Sequence, residues 1–434
     1  MVYHKEELVK KIIVFILLIS GIGFLWANGE NETANGPVTL RIMSPASDFT
    51  DEWIESWNSE NPNIQVVRED LDQTKWIADY IGGSSADIIN LGSGAEVPYF
   101  VKRGMLYDLT DYINSSELLK DDIDLEGSGA YLFEDSWYGL PKDYNNVTAI
   151  TYNKELFDKA GLPYPSATEP MTYNEFETLA KELSAIDASV FGTEVHGNWF
   201  LYMAGDMAYM INKKLHTDGQ SKMNNDPEVR DIWKTFLRWR KEGISSNLKN
   251  PISGWAGSAF QAGNIAMVQL GYWYGASCSA VDGYDEKFGW APAPVMEKGG
   301  KRVTNSLGAT GFIVSSQTKY PDQAFKVFEW YMAGEPGKER AETGWGIPPL
   351  KSLQTLLPYD NDFNKVRKDI AMEEVKYMMP PQTSWYARNN VYAGNWKAAE
   401  NAYLRNEVTE DGAIDMFFKS MNEAFAFGKE EVGE

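Results

Sequence analysis

The chain has 434 residues, 43% of them hydrophobic, which is enough to bury a full core, and its size points to two lobes rather than one or a disordered chain. Its 40 basic residues face 62 acidic ones, a formal net charge of −22, so nucleic acid and anionic membrane surfaces are repelled and drop out as main partners. With 15 Trp, 23 Tyr and 20 Phe it carries more rings than a core needs, and some are expected in a binding cleft.

Lys5, Lys10 and Lys11 precede an apolar run from Ile12 to Leu25 and the small residue Ala27, the layout of a secretory signal cleaved after residue 27. Leu25 stands where a small residue is usual, so a retained membrane anchor is the alternative, although the run is short for crossing a bilayer. Cleavage removes Lys5, Lys10, Lys11, Glu6 and Glu7 and leaves 37 basic against 60 acidic residues, net −23. The single cysteine, Cys278, provides no disulfide and no lipid-accepting thiol near the signal, so a periplasmic protein that is not a lipoprotein is expected. Residues 28–37 have no apolar periodicity and read as a disordered leader.

The next hundred residues alternate strand and helix patterns, as a parallel sheet with helical crossovers does. Val38 to Ile42 reads as a strand, and a loop from Met43 to Ser47 leads to a helix with Phe49, Trp53 and Trp57 on one face, stopped at Asn61-Pro62. Ile64 to Val67 is the second strand; Ala86 to Leu91, apolar enough for burial on both faces, is another. Further on, Thr172 and Glu175 form a capping box before a helix carrying Phe176, Leu179, Ala180 and Leu183. Asp226 caps and Pro227 opens a helix carrying Val229, Ile232, Trp233 and Phe236. Strands are expected at 265–270, 288–291 and 311–314, then a helix over 321–333 and a mostly helical last hundred residues. No solenoid or propeller period and no low-complexity block is present.

Three motif lookalikes fail. Gly92-Ser93-Gly94 follows a strand, but Val97 stands where the dinucleotide fingerprint needs its third glycine, and no GK[ST] occurs. Gly275-Ala276-Ser277-Cys278-Ser279 is one glycine short of a nucleophile elbow, and only His196 and His216 remain after the signal to act as a base. Asp122, Asp124, Glu126 and Gly127 imitate the start of a calcium loop whose twelfth position is Phe133, where a bidentate carboxylate is required. No metal and no cofactor are expected.

From Gly139 the chain runs GLPKDYNNVTAITYNKELFDKAGLPYP, with TYNEFETLAKEL at Thr172, FQAGNIAMVQLGYW from Phe260, LGATGFIVSSQTKYPDQAFKVFEWYM from Leu307 and SWYARNNVYAGNW from Ser384. With ADIINLGSGAEVPYFVKRGMLYDLT these segments, in this order, resemble the extracellular solute-binding proteins of ABC transporters that take up sugars, over most of the mature chain. The resemblance implies an α/β fold of the two-lobe periplasmic-binding-protein kind (class II type), with discontinuous lobes joined by a hinge. Crossovers are expected near Tyr144 to Thr148, Ser306 to Thr310 and Gly346 to Leu350. The first lobe is then 38–146 with 309–347, and the second 147–308 with 348–434.

A sugar ring offers an apolar face and a rim of hydroxyls, so its receptor needs flat aromatic platforms beside short polar groups. The resemblance implies such a platform at Trp273, beside Tyr274; its bland alternative is a core ring. It implies a stacking role for Trp385, beside Tyr386, and hydroxyl bonding for Arg388, against the alternative of helix packing and a surface ion pair. Trp199 matches a position of aromatic ligand contact. Ser93 and Glu96 lie on a loop where maltose-binding members carry charged residues, and the departure here argues against maltose itself. At the first hinge Asn145 or Asn146 faces the cleft, with Lys142, Asp143 and Tyr144 as nearby alternatives. Trp255 and Trp345, in glycine-flanked loops, are candidates for the cleft or for burial.

The expected mechanism is closure of two lobes on a carbohydrate ligand by a monomer that presents it to ABC permease subunits and catalyses nothing. An exported glycoside hydrolase would use the same rings, although no carboxylate pair stands out, and a sensor-coupled binding protein is a third reading.

Overall fold

A computed structural model describes residues 36–145, 148–195, 197, 199–305 and 309–434. In chain order the elements that place the site begin with β1 (Val38–Met43), α1 (Asp51–Glu60), β2 (Ile64–Glu69), α2 (Gln73–Ile81), β3 (Ile88–Leu91), β4 (Gly139–Pro141) and β5 (Ile150–Asn153). There follow α3 (Tyr173–Ser184), β6 (Phe191–Glu194), α4 (Phe200–Met210), α5 (Pro227–Glu242), β7 (Ile265–Val268) and β8 (Phe288–Ala291). The last are β9 (Gly311–Val314), α6 (Pro321–Ala333), α7 (Asp362–Val375), α8 (Asn389–Leu404) and α9 (Glu410–Glu431).

Local chemistry sets many of these boundaries. At α3 the Thr172 hydroxyl accepts the Glu175 N–H at 3.1 Å while the Glu175 carboxylate accepts the Thr172 N–H at 2.7 Å, a reciprocal cap worth about 1 kcal/mol. Asp226 accepts the Glu228 N–H at 2.9 Å and Pro227 opens α5, which ends at Gly243 in the left-handed region. The α1 helix starts later than its ring spacing implies. Thr50 is the N-cap, so Phe49 lies before the helix and reaches the core from the loop. Strand β3 starts at Ile88 rather than Ala86, since the Asp87 carboxylate accepts the Arg41 N–H at 2.9 Å outside the ladder.

The strands form two sheets of note. The first has the order β2-β1-β3-β9-β4, with β1 and β3 parallel and β9 antiparallel to both β3 and β4. The second has the order β8-β5-β7-β6, with β7 parallel to β6 and antiparallel to β5. The chain leaves the first sheet after β4, builds the second, and returns to the first as β9. Each sheet therefore belongs to a lobe made of separated segments, and both lobes lie within one compact unit, Thr39–Glu434. A further stretch stays with the first lobe: Ile347 pairs with Tyr144, the Asp124 N–H donates to the Pro349 carbonyl, and Ser352 bonds Asp122. Asn146 and residues 306–308, in two of the expected crossovers, lie outside the described residues, as do the expected signal and nearly all of the leader.

Both sheets are apolar on the strand positions they bury, and rings close the space between sheet and helices. In the first lobe Phe49, Phe312 and Tyr331 meet at 4.2 to 5.9 Å, bringing the loop before α1, β9 and α6 together. In the second, Trp233, Trp396 and Phe417 tie α5, α8 and α9, with ring centroids 5.1 to 5.7 Å apart. Each fully buried ring contributes about 1.5–3 kcal/mol by removal from water.

Candidate functional site

A cavity of about 690 Å³ opens between the lobes, and its wall comes from the ends of strands in both sheets. Asp48 follows β1, Ser93 and Glu96 follow β3, and Lys142, Asp143 and Asn145 follow β4. The second lobe contributes Trp199 and Tyr202 after β6, Trp273 after β7, and Arg388 and Asn389 at the start of α8. For β1, β3, β6 and β7 these are carboxyl ends, where α/β sheets present loops to a ligand.

The polar wall consists of linked pairs. Lys142 lies 2.8 Å from Asp143 and 3.7 Å from Asp48. Burial works to lower the Lys142 pKa, but the charges of Asp143 and Asp48 outweigh it and hold the ammonium above its usual 10.5. The Asn90 amide fixes Asp48 at 2.9 Å. Across the cavity Glu96, only 6% exposed, accepts the backbone N–H of Asn389 at 3.0 Å, placing a carboxylate at the positive end of α8. Arg388 spans the same seam, 3.4 Å from Glu96 and donating to the side-chain amide oxygen of Gln73. The Tyr202 hydroxyl joins Ser93 at 3.2 Å and the Asn389 amide at 2.7 Å. These hydroxyls, amides and paired charges can both donate to and accept from a neutral polar ligand.

The apolar wall is a run of indoles. Trp273 stacks on Trp255 at 5.9 Å and 18° and on Trp345 at 6.4 Å and 11°. Its backbone N–H donates to the Asn145 side chain at 2.8 Å, so the hinge segment after β4 helps to set the turn that aims the ring. Trp345 keeps 46% of its surface exposed. A flat face therefore stands beside the donors and acceptors of Asp143, Asn145 and Arg388.

Residues 43–336, more than half of the chain, match the family model of the bacterial extracellular solute-binding proteins. The chain belongs to that family. Among its relatives, a binding protein of Brucella abortus is 24% identical over 357 residues, covering 79% of this chain and 82% of that one. The diacetylchitobiose-binding protein DasA of Streptomyces coelicolor is 23% identical over 284 residues, 62% of each chain. Among solved structures, an ABC substrate-binding protein of Listeria monocytogenes in complex with cycloalternan superposes with a TM-score of 0.76 at 20% identity, covering 90% of this chain and 100% of that one. A solute-binding protein of Thermotoga lettingae bound with α-D-tagatose gives 0.73 at 19% identity, with 90% and 100% covered. The fold is that of the two-lobe periplasmic binding proteins.

This solute-binding protein brings Ser93, Glu96, Asn145, Trp199, Trp273, Trp345 and Arg388 of the sequence candidates into one cavity wall. Lys142 and Asp143, the alternatives at the first hinge, also line it, whereas Trp385, Tyr386, Tyr274, Tyr144 and Trp255 stand elsewhere. Trp385 packs against Phe133 at 6.1 Å with Lys102 over its ring, and its carbonyl accepts from Arg103. Tyr386 is buried, with its hydroxyl on Glu434. The chain after Trp385 turns into α8, so the segment reaches the cavity through Arg388, Asn389, Asn390 and Ala393 and not through Trp385 or Tyr386. Tyr274 is buried and bonds the Gly257 carbonyl, Tyr144 is buried and bonds Asp124 at 2.6 Å, and Trp255 backs Trp273 without reaching the wall. Asn146 lies outside the described residues. Sequence reasoning missed Asp48, Gln73, Tyr202, Thr310 and Asn389 in the wall. Asp48 had one usable signal, its place in the loop after the first strand.

Proposed function

We propose that this solute-binding protein is exported, captures a sugar or small oligosaccharide between its lobes, and delivers it as a monomer to the permease of an ABC importer, catalysing nothing. One observation carries the reading: the cavity sets the Trp273 and Trp345 faces beside hydroxyl, amide and carboxylate groups from both lobes. Stacking needs the flat rings, and a hydroxyl rim needs groups that donate and accept at close spacing. Relatives named for diacetylchitobiose and arabinooligosaccharides, and solved relatives holding sugars, support the same ligand class. Trp273, Trp345 and Trp199 act as platforms, while Ser93, Glu96, Asn145 and Arg388 hold hydroxyls. The lobes move about crossovers near Tyr144 to Thr148 and Ser306 to Thr310, with the third, expected near Gly346 to Leu350, falling beyond Ser352 because residues 347–352 bond the first lobe. The net charge of −22 keeps nucleic acid out of the partner set.

The test is a thermal-shift screen of the chain from residue 28 onward against monosaccharides, oligosaccharides, polyols and polyamines. A ligand at a hundred times its Kd adds about 2.7 kcal/mol and raises the melting temperature measurably. A selective shift with a carbohydrate, lost in Trp273→Ala, supports the reading. A shift with polyamines alone, or steady hydrolysis of a glycoside by the pure protein, overturns it.

A further inference from the structure

A second cavity, of about 560 Å³, adjoins the first, and Gly197 and Ala393 lie in the walls of both. It belongs to the second lobe, between the end of β6, α5, the loop at 245–254 and α8. Its floor is apolar, backed by core rings that are at most 5% exposed: Phe200 stacks on Trp396 at 5.0 Å and 24°, with Phe236 at 6.5 Å from the same indole. Beside this floor stand two basic groups, Arg240 and Lys397, and two carboxylates, Glu194 and Glu400, whose formal charges sum to zero. Arg240 contacts the Glu194 carboxylate and lies 3.7 Å from Glu400, which also accepts the Trp396 indole N–H at 3.0 Å. The Ser245 hydroxyl, also on this wall, has no hydrogen-bond partner among the described residues.

An apolar floor beside charges that sum to zero suits an uncharged polyhydroxylated ligand better than an ion or a lipid, since an ion of either sign meets two groups of its own sign and a lipid would desolvate all four. Each cavity alone falls in the range of about 300–1,000 Å³ that holds a small ligand, so a monosaccharide or disaccharide has no use for both. We propose that the second cavity is an extension subsite, taking the further residues of an oligosaccharide whose first residues lie against Trp273, and that the solute is longer than a disaccharide. This rests on the carbohydrate reading above.

The experiment is calorimetric titration of the protein with maltooligosaccharides, cellooligosaccharides and chitooligosaccharides from monosaccharide to hexasaccharide. In whichever series binds, affinity is expected to rise about tenfold or more between disaccharide and tetrasaccharide. Leu248→Asp, on the exposed rim of the second cavity, and Asn401→Trp, which fills it from α8, are each expected to abolish that rise while leaving disaccharide affinity within about twofold. Equal affinity along the series in the unmodified protein, or a rise that survives in both variants, overturns the subsite and leaves the carbohydrate reading standing. Should no carbohydrate of these series or of the thermal-shift panel bind, the carbohydrate reading falls and the subsite with it. If Asn401→Trp fails to fold, Leu248→Asp decides alone, because its side chain is 49% exposed.

Discussion

Asp206 of α4 is 1% exposed, and among the described residues no cation pairs with it. Its two oxygens accept the Asn305 amide at 2.9 Å each, and one also accepts the Thr148 hydroxyl at 3.3 Å, so it ties together the flanks of two crossovers. Burial raises its pKa well above the ordinary 3.8; the Asn305 and Thr148 hydrogen bonds work the other way, and the charge of Glu374 adds to the rise. Tyr173 and Tyr209 are the other titratable groups that feel it. A folded-state pKa above the unfolded value means that the folded protein binds this proton more tightly. The resulting stability is fully present below the unfolded value and is lost as pH rises toward the folded one. The slope is about 1.4 kcal/mol per pH unit within that window. Asp206→Asn keeps an acceptor for Asn305 and cannot ionise, so its stability is expected to lack this slope. The assay is urea denaturation of both proteins from about pH 4.5 to about pH 7.5, reading the difference in unfolding free energy at each pH. A difference that grows in favour of Asp206→Asn with rising pH supports the account. Parallel curves would refute it, because they would mean that Asp206 ionises as easily when buried as in water.

Three other outcomes are expected. Trp273→Ala removes stacked contacts with Trp255 and Trp345 worth about 0.5–1.5 kcal/mol each and should weaken carbohydrate binding about tenfold, whereas Trp385→Ala should leave titrated affinity within about twofold. Gly192→Ala in β6 would place a Cβ 1.9 Å from the Ala180 carbonyl oxygen of α3 and should cost about 3 kcal/mol by denaturant unfolding. Gly129→Ala, with nothing within 4 Å of its Cβ and a helical φ of −57°, should instead be neutral or stabilising by up to about 1 kcal/mol. The Cys278 thiol is buried and pushed up to about 12 by desolvation, so iodoacetamide should modify it only as the protein unfolds; rapid labelling of native protein would contradict its placement.

Much of the secondary structure was legible because its causes are local. The Thr172 and Glu175 cap, the Asp226-Pro227 start of α5 and the apolar runs of β8 and β9 each act within a few residues, and the structure keeps them where the spacing implies. The end of β7 at Val268 was less so: the expected strand continued to residue 270, but the Gln269 side chain bonds the Thr148 carbonyl at 2.6 Å and Gly271 turns the chain with φ at +84°. Family resemblance carried the reading to Trp273 and Arg388, since those positions sit inside recognisable segments.

The sequence by itself determined the acidic surface, the surplus of rings and the element order, which depend on composition and near neighbours. Which of those rings line the cavity was decided by the tertiary fold alone. Trp273 and Trp385 both follow short polar or glycine-containing stretches, yet one lies in the turn after β7 at the cavity while the other turns away against Phe133 and Lys102. The contact of Arg388 with Glu96 joins residues 292 positions apart, and β9 takes its place between β3 and β4 only after the whole second sheet has been built. Such pairings are chosen by burial and register over the full chain, and no window of neighbouring residues contains that information.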